Sequence, residues 1–313
     1  MSTPRSGFLL VDKPAGPTSH DVVQAARRAL KERRIGHTGT LDPAATGLLL
    51  LCIGKATRLQ QYLLAWEKTY HGEIRLGWGT TTYDSEGEAL GPARSVPELT
   101  AAVVADLSAR FSGELEQLPP PYSAKKTGGR KFYELARAGE EVPREPKRVQ
   151  VQSIELEETG PDRLAFKVTC SSGTYLRSLA HDIGETLGCG GHLASLRRVR
   201  IGPWLVDDAV SAETLANRPG EIDPGAFVSL AAAILPFPEV VLNPTALDHF
   251  MHGQEVAVRE VDGSYAPGSP VAVRDRSGEL VGVGVAIAFL ARARTVNVAP
   301  RMVLVEVEAP AKP

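Results

Sequence analysis

The run Leu48-Leu-Leu-Leu-Cys-Ile53, closed by Gly47 and Gly54, constrains the fold most. Neither alternating face of this stretch carries a strongly polar side chain, so as a strand it has to be buried. It is far too short to cross a bilayer, which takes about 20 residues. The sequence therefore predicts a globular protein, with no membrane association, organised around a buried sheet. A hydrophobic content of 43% against 23% charged residues is enough to fill a sizeable core. With 313 residues there is room for one large domain and a small one.

Other segments supply neighbours for that strand. Gly7–Asp12, GFLLVD, reads as a second buried strand, and Thr18 or Ser19 caps a helix running to about Arg34. KATRLQQYLLAW reads as a helix and KTYHGEIRLG as a strand with Tyr70, Gly72, Ile74 and Leu76 on one side. Ser95-Val-Pro-Glu98 is a capping-box pattern that predicts a helix ending near Gly113. RVQVQSIELEE and RLAFKVTCSS read as paired strands, and GTYLRSLAHDIGETLG as a helix stopped by Gly188. Composition shifts after about Ala209, through the linker-like NRPGEIDPGAF, into a tail of short strands and turns that suggests a small barrel.

Charge narrows the functional classes. The net charge is −2, from 35 Lys and Arg against 37 Asp and Glu, which excludes a uniformly basic nucleic-acid binder. The cations are nonetheless clustered: Arg27, Arg28, Lys31, Arg33 and Arg34; the stretch 119–150; and Arg197, Arg198 and Arg200. Local basic patches on a neutral chain fit a protein that meets a polyanion on one face. Cys52, Cys170 and Cys189 form no C-x-x-C pair, and the start lacks a secretory pattern, so reduced thiols and a cytoplasmic location are expected.

Several catalytic signatures fail. Gly47–Lys55 has the wrong spacing for a phosphate-binding loop, and Ala56 stands where a hydroxyl is needed. Ser19-His20-Asp21 lacks a nucleophile elbow, and His181, Cys189 and His192 match no metal-ligand spacing. What remains is GHTGTLDPAATG, Gly36–Gly47, where Asp42 has no acidic neighbour in sequence. By itself this is a turn. A glycosidase would need a second carboxylate about 5 to 9.5 Å away, which Asp84 or Asp182 could supply.

Read together, GFLLVDKPAGPTSHDVV, RRIGHTGTLDPAATGLLLLCIGKATRL, KTYHGEIRLG, PPPYSAKKTGGRKFYELARAG and CSSGTYLRSLAHDIGETLGCGGHLASLRR resemble, in order, the TruB family of bacterial tRNA pseudouridine synthases. The resemblance implies an α+β pseudouridine synthase domain over residues 1–232, with a mixed, largely antiparallel sheet flanked by helices. It also implies a thumb-like insertion at about 119–150 and a PUA-like, barrel-like RNA-binding domain over 233–313. The implied activity is isomerisation of uridine 55 in the T loop of tRNA, the base being flipped out and rejoined through carbon. An RNA chaperone with dispensable catalysis is the alternative, and an RNA-guided relative a more distant one.

The same resemblance assigns residues. Asp42 is the catalytic aspartate, Arg177 its ion-pair partner and Tyr70 the aromatic that stacks on the extruded base. His37, Tyr175 and Leu196 match residues around the flipped nucleotide, and Lys13-Pro14 a motif bracing the catalytic loop. Lys125, Lys126 and Arg130 are expected to meet phosphates of the T arm, and the tail to reach the acceptor-stem end. The isomerisation is redox-neutral and adds no atoms, so neither cofactor nor metal is implied, and a monomer suffices. A buried, ionised Asp42 beside a cation is the physical expectation.

Overall fold

The computed structural model describes residues 6–121, 126–127, 130–131, 144–259, 261 and 265–304. The Leu48–Ile53 run is a strand whose two faces enter different cores. Leu48, Leu50 and Cys52 join one apolar cluster, while Leu49, Leu51 and Ile53 join another. None has more than marginal solvent contact. Each such leucine contributes about 1.5–3 kcal/mol relative to exposure, which is why no polar residue interrupts the run.

In chain order the elements are β1 (Gly7–Lys13), α1 (Ser19–Leu30), β2 (Ile35–His37), β3 (Thr46–Ile53), α2 (Gln60–Leu63), β4 (Lys68–Leu76), α3 (Ala101–Arg110) and β5 (Gly113–Gln117). Strands β6 (Lys126–Thr127) and β7 (Arg130–Lys131) pair with each other. Next come β8 (Lys147–Gly160), β9 (Arg163–Cys170), α4 (Leu176–Thr186), β10 (Gly191–Ile201), β11 (Trp204–Leu205), β12 (Val210–Ser211), α5 (Ala212–Asn217) and β13 (Phe227–Ser229). The chain closes with β14 (Glu239–Val241), α6 (Pro244–Met251), β15 (Val256–Arg259), β16 (Pro270–Arg274), β17 (Leu280–Leu290) and β18 (Thr295–Val303).

The main sheet has the order β12-β1-β3-β10-β4-β9-β8-β5, with β2 added to β3, β11 to β10 and β13 to β1. Its described pairings are antiparallel except β1–β12 and β3–β10. This is the mixed, largely antiparallel α+β architecture expected from the sequence. Helices α1 and α5 cover one face of β1 and β3 through Val22, Ala26 and Leu215. Helices α3 and α4 pack with β4, β8, β9 and β10 through Leu107, Leu179 and Ile183. The second sheet, β14-β16-β17-β18-β15, curls into a half-barrel, helped by register shifts between β17 and β18. Ala272, Leu280, Val283 and Met302 of this sheet share a cluster with Phe8, Leu10, Leu48 and Trp204 of the main one.

Three local expectations need correction. The α1 helix ends at Leu30, because Lys31 takes a left-handed conformation (φ 53°) and Ile35 then pairs with Ile53. The KATRLQQYLLAW segment is a 3-10 turn over Gly54–Leu59 followed by the single-turn α2. The Ser95 capping box does not operate: α3 starts at Ala101, capped by the Thr100 hydroxyl, which accepts from the Val103 N–H. Leu99, just ahead of that cap, is buried against Leu107's cluster and anchors the preceding residues outside the helix.

Candidate active site

Asp42 sits in the loop between β2 and β3, and the backbone of that loop is held by buried cations. Lys13, wholly inaccessible, donates its Nζ protons to the carbonyls of Ala45 (2.6 Å), Pro14 (2.9 Å) and Pro43 (3.1 Å). Arg198, 1% exposed, donates from Nε to the Leu48 carbonyl (2.7 Å) and from Nη2 to the Gly39 carbonyl (3.1 Å). The Ser19 hydroxyl adds a bond to the Leu41 carbonyl and accepts from the Leu41 N–H. Glycine is required at the start of β3. Gly47 has φ 101°, and a Cβ there would lie 2.2 Å from the Arg198 carbonyl oxygen of the parallel neighbour β10.

Arg177 enters from the first turn of α4. Its Nε lies 3.1 Å from Asp42 Oδ2, and its Nη1 lies 3.2 Å from Asp84 Oδ2 and 3.3 Å from the Thr82 carbonyl. The guanidinium thus bridges two carboxylates of different character. Asp84 is 13% exposed and Arg177 11%, whereas Asp42 is 45% exposed. The expectation of a buried Asp42 is therefore not met. The shielded ion pair is Arg177–Asp84, and Asp42 presents its carboxylate to the open cleft. Asp84 is itself fixed: its Oδ1 accepts from the Thr82 hydroxyl and the Glu86 N–H. Its loop is zipped onto β10 by Leu193 N–H to Tyr83 O and Ser85 N–H to Leu193 O. Tyr83, at φ 64°, stacks on His181 of α4 at 3.8 Å.

These parts line a cleft of about 330 Å³ formed by Gly39–Asp42, Lys68, Tyr70, Ser172–Arg177, Leu196 and Arg198. Asp42 is the one carboxylate among the described residues lining it. Tyr70 of β4 lies directly opposite Arg198 of β10 in the strand register, and both line the cleft. Burial pushes the Tyr70 phenol up, and Arg198 opposes that. Lys68, two residues earlier on the same face, donates to the Leu64 and Trp66 carbonyls; burial and the nearby Arg198 lower its pKa to about 8. The cleft is thus a cationic recess around a single acid, suited to an anionic, ring-bearing substrate.

The structure brings together five residues named from sequence: Asp42, Arg177, Tyr70, Tyr175 and Leu196. His37 ends β2, half-buried, and is absent from the cleft lining. Lys125 lies outside the described residues, and only the backbone of Lys126 and Arg130 is described, in the β6–β7 pair. The sequence reading offers Asp84 only as the second carboxylate of a glycosidase and misses Arg198 and Lys68 as site residues. Asp84 looks like a turn residue in TTTYDSEGE, and Arg198 is one of three arginines read as a basic patch. In fact Arg197 pairs with Asp12, Arg200 pairs with Glu67, and Arg198 is interior. Asp182 does not line the cleft. His192 hydrogen-bonds the Trp78 carbonyl and Cys189 the Gly184 and Gly190 carbonyls. Among the described residues no group of three or more His, Cys, Asp or Glu side chains is arranged to hold a metal.

Known proteins share this chain's sequence and fold. The family model described as TruB family pseudouridylate synthase (N-terminal domain) matches residues 27–176, and tRNA pseudouridylate synthase B C-terminal domain matches 177–241. The tRNA pseudouridine synthase B of Burkholderia mallei is 44% identical over 279 residues, covering 88% of this chain and 92% of that protein. Its counterpart in Cupriavidus metallidurans is 43% identical over 285 residues, covering 88% and 89%. Among solved structures, a Cbf5–Nop10–Gar1 complex matches with a TM-score of 0.75 at 28% identity, covering 96% of this chain and 85% of that one. An H/ACA ribonucleoprotein bound to a substrate RNA containing 2′-deoxyuridine matches at 0.74 and 26% identity, with the same coverage.

Proposed function

Because the chain belongs to the TruB family of pseudouridylate synthases and is an isomerase that makes pseudouridine in tRNA, we propose that its target is uridine 55 of the T loop and that Asp42 carries the chemistry. The observation that supports this most directly is the lone cleft carboxylate held 3.1 Å from Arg177 in a recess it shares with Lys68, Arg198 and Tyr70. A hydrolase using two carboxylates fits less well, because Asp84 is occupied by Thr82, Glu86 and Arg177 behind the cleft wall.

The target base has to leave its loop to reach Asp42, and Tyr70 and Leu196 offer the surfaces that replace its lost stacking. Arg177 keeps the carboxylate aimed while negative charge develops on the departing base. Asp42 then serves as nucleophile or as the anion that stabilises the sugar intermediate, and the base rejoins C1′ through C5. Lys125, Lys126 and Arg130 meet phosphates of the T arm, His37 meets the loop from which the base was drawn, and the C-terminal sheet serves as a PUA-like contact to the acceptor-stem end. The protein works as a cytoplasmic monomer on bare tRNA, unlike the multi-subunit assemblies of its structural neighbours.

The test is to map pseudouridine in a T-arm minihelix incubated with wild type and with Asp42→Ala in buffer free of divalent ions. Wild type forms one pseudouridine, at position 55. Asp42→Ala forms none while binding RNA within about threefold of wild type. Product from Asp42→Ala would overturn the assignment. RNA binding and refolding by wild type without any product would favour the chaperone reading.

A further inference from the structure

Tyr83 holds its backbone in the left-handed region, at φ 64°, where a glycine or asparagine would sit at lower cost. What the tyrosine adds is its ring. The ring lies flat on the imidazole of His181, with centroids 3.8 Å apart and planes 6° from parallel. Its hydroxyl accepts from Nη1 of Arg144 at 3.2 Å. The backbone is pinned as well: the Tyr83 N–H donates to the Thr80 carbonyl at 3.2 Å, and the Tyr83 carbonyl accepts from the Leu193 N–H at 3.0 Å. His181 offers its face: its Nδ1 is buried with no hydrogen-bond partner among the described residues, and burial holds the imidazole below its usual pKa.

The neighbours of Tyr83 give that ring a task. Arg177 Nη1 reaches the Thr82 carbonyl at 3.3 Å and Asp84 Oδ2 at 3.2 Å, the residues on either side of it. His181 follows Arg177 by four positions on α4, so both side chains leave the same face of the helix. Residues 82–84 therefore grip α4 at two points one turn apart. The guanidinium alone would not fix that spacing, because the long arginine side chain could follow the helix by changing rotamer. A flat ring against a ring cannot, since its contact distance is set by packing. Resting on the reading of the site given above, we propose that Tyr83 is a positioning residue: its ring, stacked on His181 and held by Arg144, sets the spacing between the 82–84 loop and α4 and so aims Arg177 at Asp42. The aim in question is the 3.1 Å approach of Arg177 Nε to Asp42 Oδ2. Arg144, three residues ahead of β8, fixes the hydroxyl end of the ring from a third element.

Single-turnover pseudouridine formation on a T-arm minihelix, with denaturant midpoints measured alongside, tests this. Tyr83→Asn removes the ring and keeps a residue that accepts φ 64°. Its midpoint stays near that of wild type and its RNA affinity is unchanged, while the rate at saturating RNA falls roughly 3- to 100-fold. The low end is the coupling of one aromatic pair and the high end the cost of a displaced catalytic group. His181→Ala shows a loss of the same order, and the double variant falls no more than about twofold below the weaker single. Tyr83→Phe, which keeps the stack, recovers most of the rate. In an Arg177→Gln background Tyr83→Asn changes the residual rate less than about twofold, because no guanidinium is left to aim. A Tyr83→Asn rate within about twofold of wild type, or full multiplication of its effect with that of Arg177→Gln, would show that the ring only packs and would sink the proposal. Where Tyr83→Asn does not fold, His181→Ala, alone and combined with Arg177→Gln, decides by the same thresholds. Absence of product from wild type itself would instead defeat the parent reading.

Discussion

Replacing Asp84 by asparagine separates the two ion pairs made by Arg177. The carboxylate uses Oδ1 to accept from Thr82 and from the Glu86 N–H, and Oδ2 to face Arg177 Nη1 at 3.2 Å. An asparagine has one acceptor oxygen, so one of those sites becomes an amide donor facing another donor. With its oxygen kept on the Thr82 side, the amide meets Arg177. The lost interaction is a hydrogen bond between charged groups that are 13% and 11% exposed, worth about 1.5–3 kcal/mol. The larger figure for stranding a buried charge, about 3–5 kcal/mol, does not apply, because Arg177 keeps Asp42. That remaining pair is half exposed and too screened to fix the guanidinium alone. The expected loss is therefore about 10- to 150-fold in the single-turnover rate on a T-arm minihelix, at 1.36 kcal/mol per decade. Affinity measured by filter retention should stay within about threefold. An Asp84→Asn protein that is folded and reacts within about twofold of wild type would show that the Arg177–Asp84 bond does not orient the site.

Two further outcomes follow from local geometry. Gly47→Ala adds a Cβ 2.2 Å from the Arg198 carbonyl at a left-handed φ, so the variant should lose at least about 2 kcal/mol in denaturant titration and lose activity with it. Asp182 has a carboxyl raised by burial and by Glu185 to about 6, above its unfolded value of 3.8. The native state then binds more protons between those values, so this group's contribution to stability falls as pH rises through that window. Asp182→Asn should therefore raise the melting temperature at pH 7 and leave it nearly unchanged at pH 4.

What the sequence disclosed divides along physical lines. The Leu48–Ile53 strand was legible because double-sided burial needs an unbroken apolar run, and β8 and β9 because β-branched and apolar residues alternate. Strand β10 was not, since its central stretch SLRRVR carries arginines whose partners come from elsewhere in the chain: Asp12, Glu67 and the Leu48 carbonyl. Asp42, Tyr70 and Arg177 stood out through family resemblance and motif context, and the cleft joins all of them. The partnership of Asp84 with Arg177 and the interior place of Arg198 escaped because they depend on contacts 93 and 150 residues away, to Arg177 and Leu48. The Ser95 capping box misled because a buried Leu99 outweighed a local cap worth about 1 kcal/mol.

The apolar cluster joining Leu280, Val283 and Met302 to Phe8, Leu10 and Trp204 has a mechanical consequence. A hinge between two bodies needs a wet seam or a thin connection, and close-packed side chains tolerate neither sliding nor separation. The span from the half-barrel to Asp42 is consequently set before any RNA arrives. The two sheets behave as a fixed caliper.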